Sequence, residues 1–339
     1  MNNWPRFYIR NLRRPAAFCL LLAVLTLLSA FAGIGLGAVA LSPGEVLQAL
    51  FGKDVENSGI VLYIRLPRCC ASLLAGAALA VSGAIIQSVL ANPLAAPNII
   101  GVNAGAGFSV ALCCALLPGA IWLMPLAAFA GAFSGVMLVL GISKRTGASR
   151  ISLVLAGVAI SNIFSAGIDT VVTLVPDALL GYSDFRIGGL SGVTMAQIQP
   201  AFWTIVIGIL LALTLSNQLD ILSLGEETAQ SLGLPVRRTR VLLLLIAAAL
   251  AGAAVSFSGL LGFVGLVVPH IVRRLAGEEG LPFLIASALG GALMLSLCDL
   301  LARTLFSPYE LPVGIVLSLL GGPFFIWLLF QQRGGRIYD

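Results

Sequence analysis

The chain has 339 residues, 59% hydrophobic and only 10% charged, with a mean hydropathy of +1.05. Soluble domains carry roughly 25% charged residues, so the charges are too few to cover a water-soluble globule. A cytosolic enzyme, a secreted domain and a disordered chain are excluded. The net charge of +5 does not mark a nucleic-acid binder, because the 19 basic residues are scattered among apolar runs and form no basic domain.

A bilayer core takes about 20 apolar residues as a helix, so charge-free runs convert into expected spans. Arg14 to Glu45 encloses the first. Arg68 to Lys144 holds no Asp, Glu, Lys or Arg and has room for three, broken at ANPLAAPN and LPGA. Arg150 to about Val175 supplies a fifth and Arg186 to Asp220 a sixth. Arg240 to Arg273 reads as one span followed by a short one broken by glycines around SFSGLLGFVGL. Glu279 to Asp299 and Glu310 to Arg333 supply the last two. The count is nine or ten, and the distribution of basic residues favours ten. With a cytoplasmic N-terminus, ten spans place Arg6, Arg10, Arg13, Arg14, Lys144, Arg145, Arg150, Arg237, Arg238, Arg240, Arg273, Arg274, Arg333 and Arg336 inside, and only Lys53, Arg65, Arg68, Arg186 and Arg303 outside. A cleaved signal peptide over residues 1–33 is the rival reading of the N-terminus. Its apolar run exceeds 20 residues and feeds a polytopic chain, which favours an uncleaved helix. No linker interrupts the composition, so residues 1–339 are read as one all-α membrane domain with both termini cytoplasmic.

The six cysteines lie in apolar stretches without a C-x-x-C pair and read as small packing residues. The 38 glycines, many beside Ala and Ser in the spans, suit close helix approach. GAALAVSG at 76–83 echoes AGAAVSFSG at 251–259, a weak hint of an inverted repeat. Ionisable residues, which a self-powered transporter needs near mid-membrane, are nearly missing. Asp299 and Arg303 come closest, at a spacing that lets them pair. The energy for transport is therefore expected from another subunit. Arg65 and Arg68, in YIRLPR, share a face at the mouth of the second span. They read either as interfacial snorkelling or as a fork for an acidic partner. The segment 219–240, LDILSLGEETAQSLGLPVRRTR, is the longest inside connection. Glu226 and Glu227 open a possible short helix that Gly233 and Pro235 close, giving a docking surface for a soluble partner.

These blocks resemble, in order, the permease subunits of ABC importers for iron chelates and cobalamin: RLPR, GAALAVSGAIIQSVLANPLAAPNIIGVNAGAG, EETAQSLGLPVRRTR, GLLGFVGLVVPHIVRRLAG, DLLAR and ELPVGIVLSLLGGPFFIWLL. The resemblance runs from about residue 15 to 332. It implies the type II ABC importer permease architecture in a bacterial inner membrane, with ten transmembrane helices per subunit. It also implies a second permease copy or paralogue, two ATP-binding subunits inside and an extracytoplasmic substrate-binding protein. By this resemblance Arg65, Arg68 and Arg303 receive Glu residues of the binding protein. Glu226, Glu227, Gly233, Leu234 and Pro235 belong to the helices that fit a groove on the ATPase. Asn92 and Leu94 of NPL lie at the inner gate, with Ser149 of KRTGASRISL a weaker match because the spacing of that loop departs from the family. His270, in VVPHIVRR, is expected to play a helix-end role beside Arg273 and Arg274, meeting terminal carbonyls rather than a metal. No cofactor, metal site or catalytic residue is expected. The expected cargo is a ferric siderophore, with haem and cobalamin as alternatives. An ion-coupled secondary transporter is the rival of another class.

Overall fold

The structure, a computed structural model, describes residues 15–37, 39, 41–51, 58–147, 149–278 and 280–333. Arg6, Arg10, Arg13, Arg14, Lys53 and Arg336 of the topology argument lie outside them. Among the described residues all regular structure is helical. In chain order the helices are α1 (Pro15–Gly35), α2 (Pro43–Leu50), α3 (Ser58–Ile60), α4 (Leu66–Leu90), α5 (Val102–Leu116), α6 (Met124–Arg145), α7 (Arg150–Leu174), α8 (Ala178–Ile187), α9 (Met195–Thr214), α10 (Ser216–Ser223), α11 (Glu226–Ser231), α12 (Val236–Ser258), α13 (Val264–Ala276), α14 (Gly280–Thr304) and α15 (Val313–Arg333). A π-helical turn, Val61–Arg65, joins α3 to α4, so that 58–90 runs on as one helix.

Seven helical stretches among the described residues are long and apolar enough to cross a membrane: α1, 58–90, 121–145, α7, α9, α12 and α14. The α5 helix is apolar but shorter, as is the apolar part of α15, Val313–Leu328, and α13 has 13 residues. All ten alternate in direction between two ends of one bundle. At the upper end the C-terminus of α1 meets the start of α4 and the end of α14 through Arg65 and Arg303. Arg68, Met124, Gln197 and Ser258 line one cavity there, which places the starts of α6 and α9 and the end of α12 at the same level. At the lower end Cys19 of α1 lies 3.7 Å from the Pro282 carbonyl, Gln87 of α4 meets Arg273 of α13, and Arg150 of α7 meets Leu222 of α10.

The core is built around α4. Its apolar stretch is 78% buried, against 28% in α1 and 22% in α7. Ala71, Ala75, Ala78, Ala80 and Ala84 are wholly buried, and two glycines bring backbones into contact. A Cβ on Gly76 would run into the Gly291 carbonyl of α14, and one on Gly83 into the Gly265 carbonyl of α13. Lipid offers no hydrophobic drive for association, so close approach of small residues carries the packing. The two echoed segments lie on α4 and α12, which pack antiparallel, and Ser82 of α4 donates to the Ala247 carbonyl at 2.7 Å.

Two short helices fall where connections were expected. In α2, Ser42 and Glu45 form a reciprocal capping box, a signal visible in SPGE. In α8, Ala178, Tyr182 and Phe185 are buried at helical spacing. The short span after SFSG is α13, set off by Gly259 at φ 69° and by Phe263 at φ 66°.

Candidate functional site

At the upper end, Arg65, Arg68 and Arg303 gather as one cluster, 5%, 6% and 7% exposed. The last carbonyls of a helix lack intrahelical donors, and two of the arginines satisfy those of α1. Arg65 Nη1 donates to Ile34 O at 2.9 Å and Gly35 O at 2.8 Å, and its Nη2 donates to Val39 O. Arg303 Nη2 donates to Gly33 O. Arg68 turns the other way: its Nε lies 2.9 and 3.1 Å from the two carboxylate oxygens of Asp299, and its Nη1 is 2.6 Å from Glu310 Oε2. The expected Asp299–Arg303 pair is present at 3.7 Å. Arg65 and Arg68 thus do not stand as a fork open to solvent: each is engaged within the chain, on different elements. Glu310, whose side chain is 42% exposed, is the half-open member. It went unrecognised at sequence level, because nothing in the sequence ties it to a residue 242 positions away. A cavity of about 560 Å³ opens beside this cluster, lined among others by Arg68, Asp184, Gln197, Ser256, Ser258 and Glu310.

At the lower end, α10 packs on α4 and α14, and α11 on α10 and α12. Glu226 opens α11 and accepts from Arg240 Nη2 of α12 at 2.9 Å. Glu227 and Pro235 are exposed, Leu234 is half-buried, and Gly233 makes the exit turn at φ 82°. Leu224 and Leu232 add exposed apolar side chains to the same face. Two bonds fasten the segment to the bundle. Asp220 Oδ1 accepts from Gly280 N at 3.0 Å, and Arg150 Nη2 donates to Leu222 O at 3.3 Å. Arg150 follows Ser149, whose Oγ caps α7 by accepting from Ser152 N at 3.1 Å. The loop that holds Ser149 is therefore tied to the α10–α11 segment by its neighbour.

Asn92 is exposed, and its side-chain oxygen accepts from Leu94 N at 2.9 Å, closing the turn after α4. Behind that turn Gln87 is buried. It donates to the Gly265 and Leu266 carbonyls at 3.2 and 3.3 Å and accepts from Arg273 Nη1 at 3.0 Å. Gln87 and Arg273 were not singled out as a pair from sequence.

The expectation for His270 needs correction. The ring is 8% exposed and stands edge-on to Phe324 at 6.2 Å, and neither nitrogen has a hydrogen-bond partner. Arg273 reaches Gln87 and Glu278 rather than helix-terminal carbonyls, and Arg274 lies over the Trp327 ring at 5.5 Å. The α13–α15 packing encloses the imidazole, so the ring never reaches the end of its helix. Among the described residues no group of three or more His, Cys, Asp or Glu gathers as a metal site, and all six cysteines are free.

One further charge was passed over in the sequence. Asp169 is the only charged residue between Arg150 and Asp177, and it sits on the exposed face of α7, the least buried of the apolar helices.

Residues 21–331 match the FecCD transport family. The chain is 37% identical over 327 residues to the Fe(3+)-citrate import system permease protein YfmE of Bacillus subtilis, covering 96% of this chain and 98% of that protein. It is 38% identical over 325 residues to the iron(3+)-hydroxamate import system permease protein FhuB of the same organism, with 94% and 83% covered. It is also 37% identical over 323 residues to the hemin transport system permease protein HmuU of Yersinia pestis, with 93% and 96% covered. Among solved structures, an inward-facing metal-chelate type ABC transporter superposes with a TM-score of 0.82 at 28% identity, covering 94% of this chain and 99% of that one. With apolar helices long enough to cross a membrane and a family match over nearly its whole length, the chain belongs to the FecCD transport family, as a multi-pass inner-membrane permease of the ABC importer type whose ATP hydrolysis is done by a partner subunit.

Proposed function

We propose that the chain is one of two permease subunits, identical or paralogous, that carry a ferric siderophore inward across the membrane. Two ATPase subunits would sit at the lower end and a binding protein at the upper. The observation that carries this reading is the separation of two unlike surfaces at opposite ends of the same helices. One is the buried arginine cluster with its half-open carboxylate. The other is the exposed acidic and apolar face of α11. Among the described residues the lower end holds Lys144, Arg145, Arg150, Arg237, Arg238, Arg240, Arg273 and Arg274. The upper end holds Arg65, Arg68, Arg186 and Arg303. This asymmetry supports a cytoplasmic lower end and ten crossings.

In this reading Glu226, Glu227, Gly233, Leu234 and Pro235 form the shoulder that enters the ATPase groove. Movement there reaches Ser149 through the Arg150–Leu222 bond, and Asn92 and Leu94 through the packing of α10 on α4. Arg65, Arg68 and Arg303 hold the docking site for acidic residues of the binding protein. The bond a partner carboxylate can replace is the outer one, Arg68–Glu310, because Asp299 is buried and Glu310 is not. The relatives named for citrate, hydroxamate and haemin iron support a ferric chelate as cargo.

The test is uptake by proteoliposomes containing the chain, its ATPase and its binding protein, offered a ferric hydroxamate, ferric citrate, haemin and cobalamin in turn. ATP-dependent uptake of the ferric hydroxamate, lost when either partner is omitted, is expected. Preference for haemin, citrate or cobalamin would overturn the cargo, and uptake driven by an ion gradient without the ATPase would overturn the importer assignment.

A further inference from the structure

Helix α7 packs on α5, α6 and the Pro97–Ile100 turn with one side and leaves the other facing away from this chain. Only 22% of its apolar stretch is buried. An exposed helix face in a membrane protein ordinarily meets lipid and carries large apolar side chains. The lower half of this face does so, with Ile151, Leu155 and Val158 exposed at 72%, 64% and 51%. The upper half does not. At about 100° per residue, Asn162, Ser165, Ala166, Asp169 and Thr173 fall within an arc of about 100° on that face, and all are exposed. Asn162 is the midpoint of the helix, twelve residues from Arg150 and twelve from Leu174. The two threonines on this side, Thr170 and Thr173, spend their hydroxyls on carbonyls of their own helix, Ala166 and Asp169. The amide of Asn162, the hydroxyl of Ser165 and the carboxylate of Asp169 therefore make up the outward chemistry of the face. Large apolar side chains resume only at its flank, with Ile163 at 64% and Leu174 at 75% exposure.

A carboxamide at mid-membrane and a carboxylate two turns above it are costly against hydrocarbon and cost little against water. No neighbour within the described chain covers them. Water must reach this depth, and a wet face on the outside of one permease subunit is the wall of a space shared with a second. We propose that the Asn162–Thr173 face of α7 lines the aqueous upper half of the cargo route, and that Asp169 biases that half toward neutral and cationic chelates over anionic ones. The short helix that follows adds Asp177 and Asp184 against Arg186, all exposed, which leaves the sign of the mouth negative. Below, Ile151, Leu155 and Val158 close the face with apolar surface. The proposal rests on the importer reading and adds a class of cargo to it: a ferric chelate without net negative charge.

The test uses the full chain in liposomes, with its six native cysteines replaced by alanine and single thiols introduced by Asn162→Cys, Ser165→Cys or Ile163→Cys. Two water-soluble thiol reagents of similar size serve as probes, the trimethylammonioethyl and the sulfonatoethyl methanethiosulfonates. Thiols at 162 and 165 are expected to react and the one at 163 to stay unreactive. After normalisation to a free thiol, the cationic reagent should be favoured about tenfold, and adding Asp169→Asn should bring that preference back to the free-thiol value. If the 162 and 165 thiols are as inert as the one at 163, the face lies in lipid and the proposal fails. If they react with a preference that Asp169→Asn leaves unchanged, the charge bias fails. Uptake of a ferric hydroxamate is followed on the same Asn162→Cys protein with its partners. Loss of uptake on labelling places the face on the route, whereas full uptake after complete labelling takes it off. Native protein, with Asn162 in place, that carries no chelate alongside its partners counts against the importer reading and leaves the wet face standing.

Discussion

Asp299 is 3% exposed and holds Arg68 and Arg303 together, so its charge is the one the cluster can least lose. Removing one partner from a buried pair leaves an uncompensated charge and costs about 3–5 kcal/mol. Asp299→Ala should destabilise the purified protein by that order, read as a lower thermal midpoint in detergent. Glu310→Gln touches only the half-open end and should leave the midpoint nearly unchanged while strengthening binding-protein docking, measured by interferometry on nanodiscs. The two glutamates that open α11 separate in the same way. Glu226→Lys opposes Arg240 and should lower both stability and ATPase association, whereas Glu227→Lys, on an exposed residue with no ion pair of its own among the described residues, should lower association alone. At the other end of the chain's polar chemistry, hydrogen bonds from the backbone and hydroxyl of Ser42 hold the Glu45 carboxyl below the usual glutamate range. A lowered folded value means the cap is complete above that range and is lost as pH falls through the lowered value, which a carbon-13 titration of Glu45 would follow. The arginines themselves were legible from the pattern RLPR and from the spacing of Asp299 and Arg303. Their partners were not: backbone carbonyls at 33–39 leave no mark in side-chain identity, and Glu310 reaches Arg68 only through the fold.

Among the helices, legibility tracked length and charge. The long runs bounded by charges fall close to α1, α4, α7, α9, α12 and α14, because a bilayer-sized apolar stretch has few alternatives. The short helices α2 and α8 were missed since neither is apolar enough to register as a span, although the Ser42 and Glu45 box was open to reading. Glycine content announced close packing without saying where. The structure assigns it: Gly83 faces the Gly265 backbone, while Gly141 on the exposed side of α6 has open space around its Cα. Gly83→Leu is expected to abolish folded protein, and Gly141→Leu to leave yield and thermal midpoint unchanged, as judged by fluorescence-detected gel filtration.

For the molecule as a whole, the alternation of ten helices and the excess of basic residues at one end call for a specific topology. A thiol introduced by Thr146→Cys should be reached by impermeant reagent only from the cytoplasmic side, and one introduced by Gly119→Cys only from outside. The reverse pattern would invert the orientation. Net charge alone carried none of this information; the positions of the charges did.

The backbone contacts of α4 have a consequence for how such a molecule can move. Where Gly76 meets Gly291 and Gly83 meets Gly265, carbonyls of one helix sit in notches of the next. Side chains can change rotamer to let helices slide, but a carbonyl lodged against a neighbouring backbone cannot, and packed interiors deform in discrete steps rather than continuously. Helices α4, α13 and α14 are thus keyed against sliding and must tilt as one rigid body. A tilt of that unit has to be taken up by the connections around it, and the Arg150–Leu222 hydrogen bond and the Ser149 cap of α7 are ties that lie outside it.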